Sequence, residues 1–168
     1  MQSYQITDRK DFMQKLLNSD CFHSFLLKEA TIHTAASYVI DGKINKDFFS
    51  KEELEDSSLV PYDYTEWQTI RPLCFDLIKG KRTPLRFRFV LYLKPQSTEK
   101  VLLQGNFSES VSIIKHLVLN ILFDEKGMFL TTGIDYSGFT LNKEADQIWD
   151  KSLERFLESK EITFSSAV

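Results

Sequence analysis

Hydrophobic and polar positions alternate most cleanly between Leu85 and Lys94. Leu85, Phe87, Phe89, Leu91 and Leu93 share one face of an extended chain, and Arg86, Arg88, Val90, Tyr92 and Lys94 share the other. This period of two predicts a strand with one face in the core and the other either wet or in contact with something. Two stretches carry the helical period instead. Phe12, Met13, Leu16 and Leu17 fall on one side of a helix behind Asp8, whose short carboxylate suits an N-cap, with a short strand over 4–6 before it. Near the end, a helix beginning at Asn142 or Lys143 carries Ala145, Ile148, Trp149, Leu153, Phe156 and Leu157 on one stripe and charge around the remainder. Thr163 to Val168 reads as a frayed tail.

Between these elements the signals alternate irregularly. Residues 25–43 read as two strands, the second crossing Asp41-Gly42, a pair suited to a tight hairpin turn because both positions tolerate positive φ. Ser50 and Glu53 have capping-box spacing and predict one helical turn. It opens an acidic stretch, Lys51 to Asp63, which is broken at Val60-Pro61 and predicts a mobile loop. Thr65 and Gln68 form a second such box ahead of Trp67, Ile70, Cys74, Leu77 and Ile78, and Gly80 offers a left-handed stop. Pro72 interrupts this helix: it either kinks the helix or opens a second, shorter one. Thr98 is read as the cap of a short helix, Glu99 to Gln104, stopped by Gly105. Two strands within Ser112 to Ile134 then flank the turn Asp124-Glu125-Lys126-Gly127. Strands that follow one another through tight turns predict an α+β fold, a mostly antiparallel sheet with three to four helices on one face or at its ends.

At 168 residues, 42% of them hydrophobic and fourteen of them Phe, the chain has the material for one sizeable core and reads as a single domain over 1–162. The start, MQSYQITDRKDF, lacks the basic and apolar blocks of a signal peptide, and the longest apolar run, Phe89 to Leu93, has five residues. A cytoplasmic protein is expected, with Cys21 and Cys74 as reduced thiols.

Charge changes this picture. Seven of the twenty-one basic residues lie between Arg71 and Lys94, where the single acid is Asp76; the rest of the chain holds fourteen basic residues against twenty-three acidic ones. Lys79, Gly80, Lys81 and Arg82 form a turn between helix and strand, where Gly80 allows close backbone approach, and Arg86 and Arg88 extend the charge along one strand face. This arrangement suits an anionic partner, nucleic acid or an acidic protein surface. Its alternative is local: cations complementing a helix C-terminus and strand arginines paired with neighbouring acids. Tyr62, Tyr64 and Trp67 make an aromatic patch next to the acidic stretch, either an anchor for a protein partner or for self-association, or a core contact at the start of a helix.

Catalytic signatures are missing from the pattern. KGKRT lacks the second glycine of a phosphate-binding P-loop and sits in the reverse order, helix before strand. Cys21 and His23 have no second ligand pair at metal spacing, so no metal and no cofactor is expected. Cys74 with His33 or His116 would imitate a nucleophile and base, but Cys74 lies on an apolar helix face, where a thiol packs and its pKa rises. The acids of Lys51 to Asp56 and of the last helix read as solvated faces. The expectation is a non-enzymatic binding domain.

Four stretches, ITDRKDFMQKLL (6–17), IDGKINKDFF (40–49), IRPLCFDLIKGKRTPLRFRFV (70–90) and FTLNKEADQIWD (139–150), resemble a family of uncharacterised bacterial single-domain proteins of about this length. The resemblance implies one stand-alone domain and supplies no activity. The order strand, helix, long hairpin, helix, strands is also similar to a half-unit of a sliding clamp, an analogy of fold alone.

Overall fold

The computed structural model describes residues 2–167; Met1 and Val168, at the outer ends of the expected domain and tail, lie outside the described residues. In chain order its elements are β1 (Ser3–Ile6), α1 (Arg9–Leu17), β2 (Phe25–His33), β3 (Ser37–Asp41), α2 (Lys51–Glu55), β4 (Thr65–Glu66), α3 (Trp67–Ile78), β5 (Arg86–Leu93), α4 (Pro95–Gln104), β6 (Ile114–Asp124), β7 (Gly127–Tyr136), α5 (Glu144–Ser159) and β8 (Phe164–Ser166). The eight strands form one sheet in the order β3-β2-β5-β6-β7-β1-β8, with the two residues of β4 added to β2, and every pairing is antiparallel. The fold is α+β.

Helices α1, α3, α4 and α5 cover one face of the sheet. Their apolar stripes meet the inward residues of the strands in one core that includes Phe12, Trp67, Cys74, Leu102, Trp149 and Leu153 with Phe87, Phe89 and Leu91. The predicted α1 has its Asp8 cap, the carboxylate accepting from the Asp11 amide, a bond worth about 1 kcal/mol. At the other end of α1, two side chains of α3 one turn apart take its last carbonyls: Trp67 Nε1 donates to Leu16 O at 2.9 Å and Arg71 Nη1 to Leu17 O at 2.8 Å.

Pro72 neither ends α3 nor starts a second helix; the helix runs unbroken through it. Pro72 lies on the exposed side of the helix, where the Gln68 carbonyl loses its helical donor. The second expected capping box does not form, because Thr65 and Glu66 are drawn into pairing with Leu27 and Leu26 of β2. α4 begins earlier than expected, with Pro95 in its first turn, and Thr98 is buried within it. Gly105 follows α4 without a left-handed φ; a Cβ there would lie 2.5 Å from the Ile148 side chain, so its smallness lets α4 approach α5. The left-handed residue is Asn106, at φ 56°.

The Asp41-Gly42 hairpin is corrected in the same way. The β2–β3 turn lies at residues 34–36, closed by the Thr34 amide on Ala36 O, and Gly42 instead lies on the backbone of β2. Its amide donates to Lys28 O at 2.8 Å and its carbonyl accepts from Thr65, beside a bulge between Leu27 and Glu29. By contrast the β6–β7 hairpin turns at Glu125-Lys126 as expected, with Gly127 at φ 137°. The tail expected to fray pairs instead: Phe164 to Ser166 lie against Ile6 to Tyr4 as an edge strand. A period of two is unreadable over three residues, which is why the sequence hid it.

The stretch 51–63, expected as a loop, keeps its Ser50–Glu53 capping box and forms the single turn of α2. It belongs to an excursion, 44–63, whose base is tied by the Lys43–Tyr64 bridge and the Ile44 amide on Asp63 O. The excursion crosses one end of the sheet face that the other helices leave open.

A Cβ at Gly42 would stand 1.8 Å from the Leu27 carbonyl oxygen. Gly42→Ala should therefore lower unfolding free energy in urea by about 1–3 kcal/mol, the usual cost of overpacking.

Candidate functional site

β5 lies mid-sheet, and its alternation distributes the basic window. Phe87, Phe89, Leu91 and Leu93 point into the core as expected, while Leu85 falls just outside the strand and is exposed. The opposite side is not uniformly wet. Val90 and Tyr92 are buried there with Leu26, under Tyr62 of the excursion and Tyr64 at its base, whereas Arg86 and Arg88 are exposed.

The expected single basic surface is therefore split. Arg86 and Arg88 project from the open face, Arg88 reaching Asn120 Oδ1 at 3.5 Å. Lys79, Gly80 and Arg82 lie at the mouth of a cleft on the helix side, and neighbouring Lys81 is exposed. Gly80 has φ 138°, open space around its Cβ position and no side chain to obstruct the mouth. Part of the window is occupied locally. Arg71 caps α1, Lys94 pairs with Glu66 at 2.7 Å and lies over the Tyr62 ring, and Lys79 pairs with Asp76 at 3.0 Å. Among the described residues Lys81, Arg82 and Arg86 have no ion-pair partner.

The cleft has a volume of about 660 Å³ and opens between α1, α3 and the end of the sheet. Its floor is apolar, formed by Met13, Leu17, Phe75, Phe87, Phe123 and Met128. Its rim carries Arg9 and Lys10 of α1 opposite Lys79 and Arg82, and among the described residues no acidic side chain lines it. The sequence reading missed Arg9 and Lys10 because they lie 61 or more residues before the basic window and join it only in the fold. A solvent-open pocket with an apolar floor, four cations and the neutral polar Gln14, Asn18 and Thr83 favours an anion attached to an apolar group.

The aromatic trio is divided. Trp67 is fully buried, its ring tilted against Phe89 and its indole N–H spent on Leu16, so it is a core residue and not a partner anchor. Tyr62 accepts from Gln96 Nε2 at 2.6 Å. Tyr64 meets Tyr92 and His116 edge-on, and His116 stacks flat on Tyr92 at 3.9 Å. Burial moves the His116 pKa below the ordinary histidine value, opposed by Asp135, so the ring is neutral at pH 7.

The remaining candidates separate as well. Cys74 is buried on the helix side, and burial pushes its thiol up to about 12. His33, bonded through Nδ1 to Ser37 Oγ, and His116 both project from the other side of the sheet, so neither meets Cys74. His23 Nδ1 contacts Asp20 O, and among the described residues no three His, Cys, Asp or Glu side chains gather as metal ligands. The acids of α5 are not simply solvated. Asp146, Asp150 and Glu154, one turn apart, accept from the hydroxyls of Tyr136, Thr132 and Tyr4 and fasten α5 to the sheet. Burial and the Asp146 contact raise the Tyr136 phenol to about 12. No described helix is long and apolar enough to cross a membrane.

Residues 15–165 match a family of unknown function, DUF5721. The chain belongs to that family. No match is found among curated proteins or solved structures.

In a Cys21→Ser protein, Cys74 should resist a disulfide reagent at pH 7 and react stoichiometrically once denatured, as measured by thiolate release; rapid native labelling would contradict its burial.

Proposed function

We propose that this DUF5721 chain is a cytoplasmic, non-enzymatic binding domain whose α1–α3 cleft takes an anionic ligand carrying an apolar group. The observation that carries this reading is the lining of the cleft: apolar residues from α1, α3, β5, β6 and β7 below, Arg9, Lys10, Lys79 and Arg82 above, and no carboxylate among the described lining residues, Asp76 holding Lys79 from outside it. The anion-binding residues expected from sequence contribute unequally. Lys79, Gly80 and Arg82 form part of the mouth and Lys81 supplements its field, whereas Arg86 and Arg88 act on the opposite face and take no part.

Apolar contact and charge have different roles here. Burying a ligand's hydrocarbon against Met13, Phe87 and Phe123 supplies roughly 25 cal/mol per Å² removed from water. The cations at the rim set the sign of the ligand and its orientation, head outward, since placing a bare charge on the floor would cost far more than the rim returns. A nucleic-acid backbone lacks the apolar part, and an acidic protein surface would have to insert one.

The probe that combines both features is 1-anilinonaphthalene-8-sulfonate, followed by its fluorescence. The parent should bind it saturably and less tightly as salt rises. Arg9→Glu with Arg82→Glu should weaken binding about tenfold or more, and Arg86→Glu with Arg88→Glu should leave it unchanged. Equal binding by all three proteins would remove the cleft from consideration.

A further inference from the structure

On the far side of the sheet, two adjoining grooves of about 340 and 260 Å³ meet at Tyr64 and His116, and both also touch Lys46 and Asp63. Their characters differ. The larger is walled mainly by Leu26, Leu54, Val60, Pro61, Tyr62 and Pro95, a largely apolar, ring-lined slot between the excursion and the start of α4. The smaller carries Lys43, Lys46 and Lys115 around a single carboxylate, Asp63. Lys46 meets that carboxylate only at 3.9 Å, with 68% of its side chain exposed, so it remains available to an incoming anion. Lys43 and Lys115 are exposed and form no ion pair among the described residues.

At the junction stands His116, fixed flat against Tyr92 and edge-on to Tyr64. No hydrogen bond holds either of its ring nitrogens among the described residues, so one N–H donor and one acceptor are free at the boundary of the two grooves. An aromatic slot, a histidine offering a donor and an acceptor, and a lysine cluster beside them are three features that one compact molecule can satisfy together.

We infer that these grooves form a second binding site, for a nucleoside monophosphate, with the base in the Tyr62–Pro95 slot, the phosphate among Lys43, Lys46 and Lys115, and Asp63 accepting from the sugar hydroxyls. Planar bases stack on aromatic and proline surfaces, and lysines hold phosphate as point charges without demanding a fixed angle. An isolated phosphate would satisfy only the smaller groove, and an uncharged nucleoside only the larger. This site is independent of the α1–α3 cleft, which lies on the helix side of the sheet.

The test is isothermal titration of the full chain with AMP, GMP, CMP and UMP, with adenosine and inorganic phosphate as separate arms. At least one monophosphate should bind saturably, one per chain, with adenosine and phosphate each about tenfold weaker or more. Lys43→Glu with Lys115→Glu, two exposed positions, should raise Kd at least about tenfold with an unchanged melting curve, while Arg9→Glu with Arg82→Glu should retain nucleotide binding. Three results would each overturn the inference: no saturable heat for any monophosphate at millimolar concentration, phosphate binding as tightly as the nucleotides, or unaltered affinity in the folded lysine variant.

Discussion

The two-residue repeat of β5, held between β2 and β6, governs the arrangement of everything else. Phe87, Phe89, Leu91 and Leu93 can enter the helix-side core only if Arg86, Arg88, Val90 and Tyr92 leave on the other side, and a slip by one residue would exchange the sets. Burying arginine among Trp67, Cys74 and Phe12 would cost several kcal/mol per ion, so the register has one acceptable value. The chain's densest run of positive charge is thereby divided by the sheet, however close its members are in sequence.

Each face then solves its own problem. On the helix side, α1 and α3 are locked together where Trp67 and Arg71 take the last carbonyls of α1. A cleft remains between them, lined by Met13, Phe75 and Phe123 over the buried Phe87 and Met128, with cations of α1 and of the turn after α3 at its edge. α5 is fastened differently, by three acids one turn apart receiving hydroxyls from β7 and β1. On the open face, Val90 and Tyr92 need a cover that helices do not provide. The 44–63 excursion supplies it through Tyr62, with Tyr64 at its base, and the lysine-flanked grooves arise where that cover meets the strand bearing His116.

Long, strongly periodic elements were legible without the structure. The β5 alternation, the Ala145 to Leu157 stripe, the hairpin before Gly127 and the Ser50–Glu53 box all rest on local chemistry that tertiary contact reinforced. Misreadings arose where a residue type had two physical uses. Gly42 and Gly105 serve close approach rather than chain reversal, and Thr65 joins a sheet edge rather than capping a helix. Trp67 could not be told from a surface anchor because its indole N–H partner, Leu16 O, lies 51 residues away. The candidate cleft was half legible: its Lys79–Arg82 side is local, whereas Arg9 and Lys10 arrive only through the packing of α1 on α3.

Two of the three methionines, Met13 and Met128, line the cleft, so methionine methyl groups report on it directly. The decisive measurement is a ¹³C-methyl-methionine NMR titration of the intact chain with an alkyl sulfate kept below its micelle concentration. The account requires the Met13 and Met128 resonances to move together and saturate at one common affinity that falls as salt is added. Methyl signals that stay fixed while amides of Arg86, Arg88 and Asn120 shift would place anion recognition on the other face of the sheet and contradict it.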